Sequence, residues 1–351
     1  MADRLAVAVI GCGGQGRGAH VGGWRRTEGV EVVAVCDADL QRAQETARDN
    51  GVPHAYADAR ELLERHRLDI VSVVTPPRFH KEQVLAAFAA GAHVLCEKPL
   101  AMSAAEAEEI VAAARAAGRL MGMALQCRTL PQAQYARQFI AGGGLGHVYH
   151  TRVWCGHLMV ESGIPGRGVY HRREMSASGV LFATAVHHLD VANWVIGNPT
   201  PVSASGSEYQ KVRRMKQPVI AWAGTLEDFE VEDFSSGFVR FADGSSLSLE
   251  ANWLEHPTLR PCGVEVLGDY GKVSLFPLRI QVDEGRTVTD LTPAELAGPE
   301  TYDFTNVLRD FAASVRQGRV PTVRFREMVN VQKILDGVLQ SARTGSEVPI
   351  P

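Results

Sequence analysis

The 351-residue chain has no CxxC pair, no low-complexity segment and no internal repeat. It also has no apolar run of the roughly 18 to 20 residues that a membrane helix needs. Its six cysteines, Cys12, Cys36, Cys96, Cys127, Cys155 and Cys262, stand tens of residues apart, which excludes a zinc ribbon or a thioredoxin motif. They read as free thiols in a reducing compartment. There is no excess of positive charge either. Lys plus Arg number 36 against 40 for Asp plus Glu, a formal net charge of −4. Such a chain offers no broad basic field to nucleic acid or to an anionic membrane, so a small-molecule partner is expected. The opening MADRLAVAVIGCGG lacks the basic region, apolar stretch and small-residue site of a signal peptide, and a cytoplasmic location is expected.

With 45% hydrophobic and 22% charged residues, the composition is that of a soluble globular chain able to bury a sizeable core. The length suggests two domains. The first third alternates short apolar, β-branched runs with helix-length segments, the pattern of βαβ units and a parallel sheet. Strands are expected at Leu5–Ile10, Val30–Cys36, Ile70–Val74 and His93–Cys96. Asn50-Gly51, Gly91 and Gly118 stop the intervening helices, and Ser103-Ala104-Ala105-Glu106 is a capping box that opens one of them. After about residue 125 the pattern changes. A helix near Pro131–Ala141 and a strand near Val148–Trp154 precede a Gly-rich stretch, 156–178, without clear period. A helix at Phe182–Ile196 follows. Alternating segments at Ser235–Phe241, Ser245–Trp253, Val264–Leu267 and Lys272–Phe276 then read as an antiparallel sheet. Two helices close the chain, one with Phe304, Val307, Leu308, Phe311 and Val315 at helical spacing, the other near Phe325–Ser341. The expected fold is α/β: a doubly wound parallel sheet over residues 1–125, then an α/β domain with an open, mainly antiparallel sheet over 126–351.

Gly11-Cys12-Gly13-Gly14-Gln15-Gly16 follows the first strand and opens a helix, the setting in which G-x-G-x-x-G binds a dinucleotide. Gly11 allows the tight turn, and Gly13 lets backbone N–H groups approach a pyrophosphate. Gly16 lets the helix pack close, with its positive end toward the phosphates. Gly14 and Gln15 belong to the same turn. Asp37 ends the second strand 21 residues after Gly16, where a carboxylate accepts from the adenosine ribose hydroxyls and repels a 2′-phosphate. The next residue is Ala38 rather than Arg, which favours NAD over NADP, with Arg42 one helical turn away as a weak counter-signal.

Glu97-Lys98-Pro99 lies at the carboxyl end of a strand, the edge at which doubly wound sheets bind ligands. At this point the chain resembles the Gfo/Idh/MocA oxidoreductases, named for glucose–fructose oxidoreductase and inositol dehydrogenase. The resemblance rests on Gly11 to Gly16, on Thr75-Pro76-Pro77 with His80, on Gly91 to Pro99, on Gly142 to Val148, on Val186 to Gly197 and on Ser341 to Pro351. It covers essentially the whole chain. It implies a Rossmann domain and a second domain whose open sheet mediates homodimer or homotetramer contacts. It further implies that Lys98 lies beside the nicotinamide and the reacting oxygen, oriented by Glu97 and the Pro99 turn. Thr75, Pro76 and His80 flank the cofactor, and His187 is the acid/base histidine. These residue types suit the chemistry, since an imidazole can accept a hydroxyl proton and a cationic lysine stabilises a developing alkoxide.

The chain departs from the family pattern once. Where that pattern has Asp-x-x-x-His-x-x-Asp, this sequence has Ala183, His187 and Asp190. Asp190, three residues after His187, is a candidate to orient the imidazole, or to cap or pair elsewhere. Six of the twelve histidines, His147, His150, His157, His171, His187 and His188, fall between 147 and 188. No pair has the i, i+4 spacing of a helical zinc motif, and no metal site is expected. Arg152, Tyr170, Arg172 and Arg173 are candidate donors to a substrate. Three functions fit: an NAD-dependent dehydrogenase or ketoreductase of a sugar, inositol or polyol secondary alcohol; an NAD-assisted glycoside-cleaving enzyme working through transient sugar oxidation; or a non-catalytic NAD-binding regulator.

Overall fold

LAVAVI, VEVVAVC, IVSV and HVLC are near-continuous apolar runs, and such runs suit strands covered on both faces. In the computed structural model, which describes residues 4–156, 169–215, 228–254 and 262–351, they are the core of a parallel sheet. Its strands are β1 (Leu5–Ile10), β2 (Val30–Cys36), β3 (His54–Tyr56), β4 (Ile70–Val73), β5 (His93–Cys96) and β6 (Met121–Met123). Their order is β3-β2-β1-β4-β5-β6. The register pairs Val9 with Val35 on one side and with Ser72 on the other. Strand order reverses between β1 and β4, so ligands of such a sheet bind at the carboxyl ends of those strands. β3 and β6 were not anticipated, because three residues are too few to display a period.

The connecting helices stop where the sequence signals stand. Asp39 caps the helix Leu40–Asn50 by accepting from the Arg42 N–H, and Gly51 ends it at φ +63°. Ser103 accepts from the Glu106 N–H, while the Glu106 carboxylate reaches back to the Met102 N–H.

The chain divides into two compact units, one comprising Met1–Ala124 with Asp303–Val329, the other Leu125–Tyr302 with Asn330–Pro351. The sequence division kept everything after 125 together. The helix Thr305–Gln317 instead packs Val307, Leu308, Phe311 and Ala312 into the first core, beside Val7, Trp24, Ile70 and Leu95. Chain order does not reveal such a return, because the helix's apolar stripe states only that it needs a partner.

The second unit holds a mixed sheet, with nine strands among the described residues: β7 (Val148–Gly156), β8 (Pro201–Tyr209), β9 (Phe234–Phe241), β10 (Ser246–Asn252), β11 (Cys262–Gly268), β12 (Gly271–Leu275), β13 (Arg279–Glu284), β14 (Thr287–Asp290) and β15 (Val348–Pro349). They run in the order β14-β13-β12-β11-β7-β10-β9-β8-β15. Among the described residues of this sheet only the β7–β10 pairing is parallel. Alternation sorts the faces: Thr151, Val153 and Cys155 of β7 and Leu247, Leu249 and Ala251 of β10 are buried. The helices Pro131–Ala141 and Val186–Val195 share that core. No described helix is long and apolar enough to cross a membrane.

Phe311 is 2% exposed, so Phe311→Ala is expected to cost about 3 to 5 kcal/mol. Urea unfolding monitored on the first unit checks this, and an unchanged midpoint would place the helix elsewhere.

Candidate active site

The glycine turn is dictated by crowding on one side and openness on the other. Gly11 has φ +105°, and a Cβ there would meet the Val74 carbonyl oxygen at 2.5 Å. A Cβ on Gly16 would meet the Gly11 oxygen at 1.8 Å. Gly13 and Gly14 have nothing described within 4 Å of their Cβ positions, and with Gln15 they are exposed. The result is a strip of bare backbone at the start of the helix Gln15–Val21, which continues as Gly22–Arg25. Phosphate oxygens fit such a cradle, since side chains would occupy the same space.

Asp37 ties this turn to the end of β2. Its Oδ2 accepts from the Cys12 N–H at 2.8 Å, and its Oδ1 from the Asp39 N–H at 3.0 Å and Arg42 Nη1 at 3.2 Å. Arg42 also pairs with Asp39 at 3.2 Å. Burial, then the charge of Asp37, pushes the Cys12 thiol up to about 12, so the cysteine inside the glycine motif stays protonated.

The edge of β4 and β5 carries the rest of the first unit's candidates. Glu97 is 6% exposed, and its Oε2 accepts from the Lys98 N–H at 3.1 Å. Burial alone would raise its pKa, but the hydrogen bond from His20 and the charges of His20 and Lys98 outweigh that and hold it below the usual carboxylate range. Burial lowers the Lys98 pKa against the opposing pull of Glu97. The Lys98–Pro99 peptide is cis. His80 is fully buried and bridges two turns, with Nε2 2.7 Å from the Thr75 carbonyl and Nδ1 2.9 Å from the Pro99 carbonyl. Thr75 Oγ1 donates to Gln83 at 2.6 Å, and Pro76 leads into the short turn Pro77–Phe79. Thr75, Pro76, His80, Glu97 and Lys98 therefore sit on one sheet edge, and Val74 abuts Gly11 of the cradle.

In the second unit, His187 is half-buried on the helix Val186–Val195. Ala183, one turn earlier, is 5% exposed and lies in the apolar core, so the position where the family pattern has an acid is here packing volume. Asp190 is wholly buried and held by Arg128 through two bonds, Nε to Oδ2 at 2.8 Å and Nη2 to Oδ1 at 2.5 Å. Of the roles weighed for Asp190, the geometry displays pairing. Burial pushes His188 down to about 4, and its ring stands edge-on to Phe276 at 5.1 Å.

The candidate substrate donors do not converge. Arg152 alternates with the core-facing residues of β7, and so lies on the face opposite the His187 helix, 3.4 Å from Glu265. Arg172 is exposed. Arg173 is engaged by Glu230, donating its N–H to Oε2 at 3.0 Å and Nη2 to the carbonyl at 3.1 Å. Tyr170 is half-buried and its carbonyl accepts from Ser176. His157 and the rest of 157–168 lie outside the described residues. His150 stacks on Phe238, and His171 is buried. Among the described residues, no three His, Cys, Asp or Glu side chains form a group that could hold a metal ion.

Three polar residues escaped the sequence reading. Arg128 carries no local signal, because its partner lies 62 residues on. Glu232 is buried and accepts from Ser178 Oγ at 2.6 Å and from the Gly179 and Leu181 N–H groups, at the start of the segment that leads to His187. His20 did have a signal. It stands four residues from both Gly16 and Trp24, on the helix face turned to the sheet.

A parallel sheet of this order with an open glycine cradle at its switch point defines a dinucleotide-binding protein. Residues 5–125 match the model of the oxidoreductase family with the NAD-binding Rossmann fold, residues 133–274 match the Gfo/Idh/MocA C-terminal domain, and the chain belongs to the Gfo/Idh/MocA family. It is 31% identical over 350 residues to D-glucoside 3-dehydrogenase of Escherichia coli (strain K12), covering 99% of this chain and 97% of that protein. The crystal structure of an oxidoreductase domain protein from Kribbella flavida superposes with a TM-score of 0.86 at 24% identity, over 99% of both chains. That of levoglucosan dehydrogenase in complex with NADH and levoglucosan does so with 0.82 at 21% identity, over 99% of this chain and 100% of the other. The protein is an oxidoreductase of this NAD-binding family.

Removing one member of a buried ion pair strands the other. Asp190→Ala is therefore expected to cost about 3 to 5 kcal/mol, and joint replacement of Arg128 and Asp190 by Met and Leu to recover most of it. Chemical denaturation of the three proteins checks the pattern; additive losses would contradict it.

Proposed function

We propose that the protein is an NAD-dependent dehydrogenase or ketoreductase acting on a secondary alcohol of a sugar, inositol or related polyol. The observation that carries this reading is the shared sheet edge of the open Gly13-Gly14 backbone and a lysine whose pKa burial has lowered. The D-glucoside 3-dehydrogenase relative supports the sugar class. Levoglucosan dehydrogenase in complex with NADH and levoglucosan supports both cofactor and class.

In this reading the Gly11 to Gly16 turn holds the pyrophosphate, and Asp37 accepts from the adenosine ribose while disfavouring a 2′-phosphate, so NAD is used in preference to NADP. Thr75, Pro76 and His80 shape the wall beside the cofactor. Bound NAD supplies the hydride acceptor. By the family pattern His187 is the acid/base group for a substrate hydroxyl, and the Lys98 ammonium is the group that stabilises a developing alkoxide. Glu97 holds the Lys98 backbone. Asp190 acts on the helix through Arg128 rather than on the reacting atoms. Tyr170 and Arg172 remain as candidate contacts to the sugar. A second copy of the chain docks, to form a homodimer or homotetramer, on the sheet face that carries His150, Phe238 and the exposed Tyr209.

Incubating the protein with NAD and a panel of glucosides, inositols and sugar acids, and following reduced nicotinamide, tests the reading; silence across the panel contradicts it. Lys98→Ala is expected to lower kcat by a factor of about 10² to 10⁴ while NAD still binds. Since the cationic form is the active one and its pKa is lowered, wild-type turnover should fade as pH rises through a value below the roughly 10.4 of an ordinary lysine.

A further inference from the structure

Glu97 is the residue whose surroundings ask for explanation. A buried carboxylate needs a donor for each oxygen. The Lys98 N–H serves Oε2 at 3.1 Å, and the group facing Oε1, also at 3.1 Å, is Nε2 of His20. His20 comes from the far end of the cradle helix and has no exposed surface. Its other nitrogen, Nδ1, is 2.9 Å from the Ser72 hydroxyl of β4, and that hydroxyl accepts from Trp24 Nε1–H at 3.0 Å. The Phe304 ring covers the imidazole, with centroids 4.9 Å apart.

The Glu97 carboxylate sets one proton position. A carboxylate can only accept, so the proton between His20 and Glu97 sits on Nε2. Nδ1 forms the next link with the Ser72 hydroxyl, which also accepts from Trp24 Nε1–H. Trp24, Ser72, His20 and Glu97 thus form one chain of hydrogen bonds, and it ends on the residue that holds the Lys98 backbone.

We propose that His20 is a positioning residue for the oxidoreductase chemistry: its Nε2–H fixes the ionised Glu97 carboxylate, and through it both the placement and the proton affinity of Lys98. This rests on the reading above only in giving Lys98 a role in turnover. The groups that face the Glu97 carboxylate are few. They are His20 from the cradle helix, Lys98 beyond β5, His80 from the helix after β4, and the neighbouring Cys96 thiol. Cys96 is buried and stays protonated. Loss of the His20 donor leaves Glu97 without a partner on Oε1, and burial then favours its neutral form. A neutral Glu97 no longer supports the Lys98 cation, so Lys98 gives up its proton at lower pH.

The test reads Lys98 directly and needs no substrate. Acylation of Lys98 by a small anhydride is followed by peptide mass spectrometry across pH in the wild type, His20→Phe, Glu97→Gln and the double variant. His20→Phe is expected to lower the labelling midpoint in the same direction as Glu97→Gln, by about one pH unit. The double variant should fall no further than Glu97→Gln alone, and His20→Gln, which keeps an N–H at the Nε2 position, should restore the wild-type midpoint. An unchanged midpoint in His20→Phe, or additive shifts, would overturn the proposal. Should the Phe variant not fold, nitrogen-15 NMR of the wild-type imidazole decides: a proton on Nε2 is expected, and one on Nδ1 alone would overturn it. Failure of the sugar panel would leave these titrations intact, so the two ideas fail separately.

Discussion

A negative charge with almost no access to water has to be met by donors the fold supplies, and Glu97 sets that requirement at the sheet edge where the cofactor is expected. Its position follows from β5, which ends one residue earlier, and its two oxygens recruit partners from opposite directions in sequence. One is its own neighbour. The other, His20, lies 77 residues upstream on the helix that opens at the glycine turn. The cradle and the lysine turn are therefore coupled through one carboxylate, and His80 adds a second tie between the Thr75 and Pro99 carbonyls.

Three buried acids show how the same cost is met in different ways. Glu97 is held by an imidazole and a backbone N–H, next to a lysine whose proton affinity it raises. Asp190 is matched by a guanidinium in a two-bond pair, which fastens the helix bearing His187 to the segment Gln126–Thr129. Among the described residues Glu232 has no cation as a hydrogen-bond partner and is held by a hydroxyl and two N–H groups, and burial raises its pKa. Ala183 completes the contrast. Where the family pattern has a fourth acid, this chain fills the space with a methyl group inside an apolar cluster and avoids the desolvation cost altogether.

Much of the first unit was legible because its signals are local. The unbroken apolar runs, the stop glycines and the Ser103 cap each act within a few residues, and so does the crowding that demands glycine at 11 and 16. The Glu97-Lys98-Pro99 edge was legible for the same reason. What escaped depends on distance along the chain. The helix Thr305–Gln317 returns to a core whose sheet ends at Met123. Arg128 finds Asp190 across 62 residues. The face that Arg152 occupies was not read from its charge, and the period-two alternation of β7 places it opposite the His187 helix. His20 was within reach, since a lone polar residue at four-residue spacing from Gly16 and Trp24 has to find a partner inside.

In the proposed reaction a carbon-bound hydrogen of a sugar or polyol passes to NAD. The most direct measurement is the mass of the nicotinamide after incubation with NAD and carbon-deuterated glucosides and inositols. One deuterium gained per reduced cofactor is the expected result, with labelled cofactor appearing about 10² to 10⁴ times more slowly in Lys98→Ala. Nicotinamide that stays oxidised, or that is reduced without label, would contradict it.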